Sequence, residues 1–170
     1  QLFRAGRLDL EPPADELMAK LARWTPLGRL GKVRQGIVEN PASVTAKANG
    51  KHGNRWRTGE GVFALTAAEV ARLELPAREQ GLLRPYHALC DLGRYFLAAE
   101  ASRVLIYSTA ETCPDVDEWP VLRSHLGRFR PIMEARRETR QRLRPWWQLH
   151  WPRQEAVWRA AKVISVQMAR

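Results

Sequence analysis

Gly61-Val62-Phe63-Ala64-Leu65-Thr66-Ala67-Ala68-Glu69 is the stretch on which the reading of the fold turns. The first part, through Leu65, is continuously apolar, with a β-branched and an aromatic residue, which predicts a buried strand. Thr66 and Glu69 then have the spacing of a capping box. A threonine hydroxyl can accept the N–H three residues on, while the glutamate carboxylate reaches back to the threonine N–H. This predicts a helix running through Leu75 and ended by Pro76. A strand feeding directly into a helix makes the chain mixed in class. We expect an α+β fold: a curved, mainly antiparallel sheet with a few helices.

Downstream, Leu82-Leu83-Arg84-Pro85-Tyr86 and the turn-like Cys90-Asp91-Leu92-Gly93-Arg94-Tyr95 lead to a strand at Val104-Leu105-Ile106-Tyr107. Pro120 opens a helix whose Leu122, Leu126, Phe129 and Met133 share one face, while Arg123, Arg130 and Arg137 recur on another. One face should pack and the other should be basic. The end of the chain is rich in tryptophan, Trp146, Trp147, Trp151 and Trp158, of which roughly half are expected to be packing residues. Lys162-Val163-Ile164-Ser165-Val166 reads as a closing strand.

Upstream, an acidic start after Pro12 and Pro13 and apolar residues at three- and four-residue spacing predict a short helix reaching Trp24. Residues 30–38 alternate apolar and polar and predict a strand bent at Gly36, with Lys32, Arg34 and Gln35 along its polar edge. Residues 39–59 are broken by Asn40, Pro41, Asn49, Gly50, Gly53, Asn54 and Gly59 and read as one long loop carrying Lys47, Lys51, His52, Arg55, Trp56 and Arg57.

At 170 residues the chain has the size of one domain with a small appendage. No apolar run approaches the roughly 20 residues needed to cross a bilayer, the start lacks a signal-peptide layout, and Gln1 in place of Met points to an excised or processed chain. Cys90 and Cys113 stand in unrelated contexts without metal-type spacing, which fits a reduced, cytoplasmic setting. The net charge is +10, distributed as +5 over residues 1–60, −4 over 61–120 and +9 over 121–170. A basic excess at both ends of a folded chain is the electrostatic footprint of a phosphate-binding surface. A merely solvated basic surface would give the same totals.

Catalytic signatures are lacking: there is no phosphate-binding Gly-rich loop, no dinucleotide fingerprint, no zinc-protease motif and no nucleophile elbow. The histidines are scattered, and Asp115, Asp117 and Glu118 read as a solvated turn. The strongest local constellation is Arg144-Pro145-Trp146-Trp147-Gln148-Leu149-His150-Trp151-Pro152-Arg153-Gln154. Arg pairs bidentately with guanine and Gln with adenine, and Trp stacks on unpaired bases, so these residue types suit nucleic-acid recognition.

With Gln35-Gly36-Ile37, Gly61-Val62-Phe63, Leu83-Arg84-Pro85-Tyr86, Asp91-Leu92-Gly93-Arg94-Tyr95, Leu105-Ile106-Tyr107, Trp147-Gln148-Leu149 with Arg153, and Lys162-Val163-Ile164 in this order, the chain resembles the TaqI-like specificity domain of adenine-N6 DNA methyltransferases and restriction-modification enzymes. The resemblance covers residues 28–170, leaving 1–27 as a helical lead-in. It implies a domain that closes over double-stranded DNA opposite a catalytic methyltransferase domain, reads the target in the major groove and helps hold the duplex while adenine is flipped out. S-adenosylmethionine would belong to that catalytic domain. The catalytic Asn-Pro-Pro-Tyr-type motif is not here, since Asn40-Pro41 runs on to Ala42-Ser43, so this chain is expected to be inactive alone, with no metal or cofactor of its own. It departs from the family pattern by an insertion over residues 40–59.

The DNA-binding residues we expect on this reading are Arg34, Gln35, Lys51, Arg55, Arg57, Arg94, Arg137, Arg144, Gln148, Arg153 and Gln154. Most should touch phosphate. Base readout is assigned to Arg55 and Arg57, with Gln148 or Gln154. The alternative from another class is a protein–protein interaction module of a restriction or phage-defence complex, anchored by the Trp-rich end.

Overall fold

Val62, Phe63 and Leu65 have no exposed surface in the computed structural model, which describes residues 3–4, 7–8, 13–93 and 96–164. The chain falls into two units, Gln1–Gln35 and Gly36–Arg170, and the division lies inside the segment expected to be a strand.

In the first unit β1 (Phe3–Arg4) and β2 (Arg7–Leu8) form a small antiparallel pair. Helix α1 (Pro13–Leu21) follows, tied along its surface by Lys20 to Glu16 at 2.7 Å. A single helical turn, α2 (Leu27–Leu30), comes after it. The strand expected over residues 30–38 does not form: residues 31–37 take no regular structure, and Val38 alone makes a β-bridge, to Trp151. Alternation describes which side chains could share a face, but a strand exists only where a neighbour takes up its backbone hydrogen bonds.

The second unit begins with another correction. Residues 39–59 are not one loop but contain helix α3 (Ala46–Lys51), whose first turn is capped by the Thr45 hydroxyl accepting from Ala48 N–H at 3.1 Å. Asn49 is the reason the rest is ordered. Its buried side chain donates to Trp56 O at 2.6 Å and accepts from Trp56 N–H at 3.1 Å, closing the segment on itself. Gly53 and Asn54 supply the positive φ that the reversal between them requires.

The buried strand expected at residues 61–65 is present as β3, limited to Ala64–Leu65, because the N–H groups of Val62, Phe63 and Ala64 all turn to one acceptor, Ala42 O. The capping box is formed as expected: Glu69 N–H donates to Thr66 Oγ1 at 3.2 Å and Thr66 N–H to Glu69 Oε2 at 2.8 Å. Helix α4 (Ala67–Leu73) stops two residues early, at Glu74, whose left-handed φ of 48° turns Leu75 back into the core. A short α5 (Ala77–Gln80) leads to β4 (Leu83–Tyr86), and β5 (Arg103–Ile106) lies between β3 and β4 in an open three-stranded antiparallel sheet. Leu105 faces Ala64 on one side and Arg84 on the other.

Leu122, Leu126, Phe129 and Met133 are all 1% exposed or less, which bears out the expected packing face, and they join Phe63, Leu65, Leu105 and Ile106 in one buried cluster. The helix carrying them breaks at Phe129 into α6 (Pro120–Arg128) and α7 (Arg130–Glu134). Pro131, having no N–H, cannot continue the ladder there. Two short helices, α8 (Arg137–Arg140) and α9 (Glu155–Arg159), flank the Trp-rich segment. The closing strand is absent over its described part: residues 162–164 are irregular, Val163 is 98% exposed, and Ser165 and Val166 lie outside the described residues. Among the described residues no helix is long and apolar enough to cross a membrane.

Candidate nucleic-acid interface

Arg136 organises the basic end of the second unit. The residue is 7% exposed, and among the described residues its guanidinium donates only to backbone carbonyls: Met133 O at 3.0 Å, Asn40 O at 3.0 Å, Gln148 O at 3.0 Å, Trp146 O at 2.8 Å and Pro145 O at 3.4 Å. Five planar donors suit this task, and no lysine could fill them. Burial pulls its pKa down to about 10, which still leaves it charged at neutral pH. The effect is to fasten the 145–148 turn to residue 40 and to the end of α7.

The Trp-rich segment built on this anchor sorts its aromatics by depth. Trp146, Trp147 and Trp158 pack on the core, the Trp147 indole N–H donating to Cys113 O at 3.1 Å and Trp158 meeting the Tyr107 ring edge-on at 5.5 Å. Trp151 remains 43% exposed. Its ring carries two guanidinium groups, Arg144 at 5.7 Å and Arg153 at 5.8 Å from the centroid. Contacts of this kind are worth about 0.5–1 kcal/mol each at exposed sites, enough to restrict where a long side chain points. Arg153 is also held through its backbone: its φ is 58°, and its carbonyl accepts from the Tyr107 hydroxyl at 2.6 Å. Its Nε–H donates to Gly36 O at 3.3 Å. A non-glycine residue in the left-handed region costs energy that the surrounding contacts must offset, and such positions cluster at functional sites.

Next to this pair, Arg137 is exposed and 3.4 Å from Glu138. Glu138 Oε2 lies 3.3 Å from His150 Nδ1. The backbone N–H of Glu138 holds its carboxyl below the ordinary value, helped by His150 and Arg137. Burial, together with Arg136, Arg144 and Arg137, keeps His150 below the ordinary imidazole value despite the carboxylate.

A second basic group stands on the folded 46–60 segment. Lys51, Arg55 and Arg57 are exposed and form no ion pair among the described residues. They are nonetheless rigidly mounted, because Trp56 between them donates its indole N–H to Arg128 O at 3.1 Å and packs against Phe129. The expectation of basic side chains on flexible backbone is therefore corrected: the cations project from a segment pinned to the α6–α7 corner.

Compared with known proteins, the chain matches no family model and no curated protein.

Of the expected site residues, Arg144 and Arg153 are brought together on Trp151, with Arg137 on the same anchored segment, while Lys51, Arg55 and Arg57 form the second group. Gln148, expected as a base reader, is instead buried, 4% exposed, within the turn whose carbonyls Arg136 gathers. Gln154 is exposed at the start of α9, where its side chain caps nothing. Arg34 and Gln35 are exposed in the first unit, on irregular chain rather than a strand edge. Arg94 lies outside the described residues. Arg123 and Arg130, read as a basic face, are ion-paired to Asp117 and Glu134, both at distances below 3 Å. Among the described residues no group of three or more His, Cys, Asp and Glu could hold a metal ion.

Sequence reasoning missed Arg136 and Asn49. Neither has a local signal, because a buried arginine or asparagine is recognisable only by the carbonyls that converge on it.

Proposed function

We propose that this chain is a DNA-binding target-recognition module, the part of an adenine-N6 DNA methyltransferase that holds double-stranded DNA while a separate catalytic domain transfers a methyl group from S-adenosylmethionine. The observation that carries the reading is the Arg144–Trp151–Arg153 cluster. Two guanidinium groups drawn from different turns are mounted on one exposed aromatic ring, beside Arg137, which favours bidentate contact with phosphate or guanine. The methyltransferase context rests on the ordered motifs of the sequence, and the DNA-binding step rests on this cluster together with Lys51, Arg55 and Arg57.

The interaction-module alternative relied on the Trp-rich end as an apolar anchor. With Trp146, Trp147 and Trp158 packed on the core, that anchor is reduced to the Trp151 ring, which two arginines flank.

Fluorescence-anisotropy titration with a random-sequence duplex at two salt concentrations, scored against a polyanion control, tests the proposal. Binding that prefers duplex and falls steeply with salt supports it. Absence of binding even at low salt sinks it.

A further inference from the structure

A cleft of about 390 Å3 opens where the 57–61 turn meets α4 and the end of α6, and it is lined by three arginines, Arg57, Arg72 and Arg128, and two glutamates, Glu60 and Glu69. Both carboxylates are already engaged. Glu60 takes the Arg128 guanidinium at 2.6 Å on Oε1 and the Arg57 backbone N–H at 3.2 Å on Oε2. Glu69 accepts from Gly61 N–H at 2.9 Å and from the N–H and hydroxyl of Thr66 at 2.8 and 2.9 Å. Burial works to raise the Glu69 carboxyl, but those donors hold it below the ordinary value, so it stays ionised and committed to the capping box.

Two guanidinium groups are left over. Among the described residues Arg72 spends only its Nε–H, on Ala68 O at 3.1 Å, and the Arg57 side chain has no partner. Both are exposed and both line the same cleft. Arginine forks match the tetrahedral oxygens of a phosphate in a way that neutral or cationic ligands cannot.

We propose that this cleft takes one phosphate group of the DNA backbone, held between Arg57 and Arg72; this rests on the DNA-binding reading above. Arg57 then positions the duplex rather than reading a base, since phosphate contacts fix register without specifying sequence. Arg72 becomes a contact residue although it comes from the acidic stretch of the chain.

The test is the slope of log affinity against log salt for the full chain on several duplex sequences. Arg57→Ala and Arg72→Ala should each weaken every sequence alike and lower the slope by about one, the loss of one phosphate contact. Arg78→Ala, which removes an exposed arginine already paired with Glu118, should leave the slope as it is. Unchanged slopes in both cleft variants overturn the site while the DNA reading stands. Should the unaltered chain bind no duplex, the DNA reading fails, and titration with inorganic phosphate, followed by the arginine Nε–Hε resonances of the full chain, decides the cleft. Saturable shifts at Arg57 and Arg72 then support phosphate recognition from a free ligand, and their absence overturns it.

Discussion

The Arg136 guanidinium donates to the carbonyl of Asn40, 3.0 Å away and 96 residues earlier in the chain. Together with the Val38–Trp151 bridge, that contact joins the start of the second unit to the Trp-rich segment. Arg136→Met removes the fork and leaves several buried carbonyls without donors. Each unsatisfied group costs about 1–3 kcal/mol, so the loss should exceed roughly 3 kcal/mol, read as a lower urea midpoint. Arg136→Lys should recover less than half of it, because an ammonium cannot reach that many acceptors in one plane. Full recovery by lysine would show that charge alone is needed.

Glu79, 2% exposed, accepts from the N–H groups of Val121 at 3.2 Å and Leu122 at 2.7 Å, capping α6 from α5. Glu79→Gln puts an amide donor against one of these N–H groups and should destabilise the fold by about 1–3 kcal/mol. Thermal melting of this variant beside Glu134→Gln, which alters only an exposed helical pair, separates the cap from a general charge effect.

Replacing the buried Gln148 by alanine should lower stability and leave DNA sequence preference unchanged. A shift in preferred sequence without a change in melting temperature would return Gln148 to the recognition surface.

His125 is 6% exposed, and its Nε2 lies 2.9 Å from Val62 O, an arrangement that puts the proton on Nε2. Burial holds its pKa below the ordinary 6.5. The unfolded chain therefore takes up a proton before the folded one does. The stability contributed by neutral His125 is complete above pH 6.5 and is lost as pH falls from there towards its lowered folded value. His150, also lowered, acts in the same direction. His125→Gln should flatten the stability profile between the ordinary imidazole and carboxylate ranges, while the loss at lower pH, driven by depressed carboxylates such as Glu69 and Asp91, persists. An unaltered profile in that window would show that His125 protonates equally well in the fold.

Trp151→Ala takes away the ring on which Arg144 and Arg153 rest. With two contacts of about 0.5–1 kcal/mol at stake, duplex affinity should fall by up to about thirtyfold, evenly across sequences. Arg144→Ala should weaken binding and also reduce its salt dependence. Equal affinity of the Trp151 variant and the unaltered chain would remove the cluster from the interface.

Much of the fold was legible because its signals are local. The capping box needs only Thr66 and Glu69, three residues apart on one helix, and the apolar spacing of Leu122, Leu126, Phe129 and Met133 follows from the helical period. The segments read wrongly are those whose state depends on a distant partner. Residues 31–37 alternate well enough but have no neighbouring strand, whereas residues 46–51 form a helix because Thr45 caps them and Asn49 ties them to Trp56. Charge followed the same division. Counting residues marked both ends of the chain as basic, yet only the fold distinguishes the paired Arg123 and Arg130 from Arg57 and Arg72, which line one cleft and form no ion pair among the described residues.

By itself, then, the sequence determined the mixed class, the capped helix after β3, the buried face of α6 and α7, and the basic character of the ends, all of which depend on neighbours within a few residues. Tertiary structure alone decided which cations are ion-paired, which tryptophans are core and where the buried Arg136 finds its carbonyls. Those outcomes depend on groups separated by up to 96 residues, and desolvation and directional hydrogen bonding act only once the chain has brought them together.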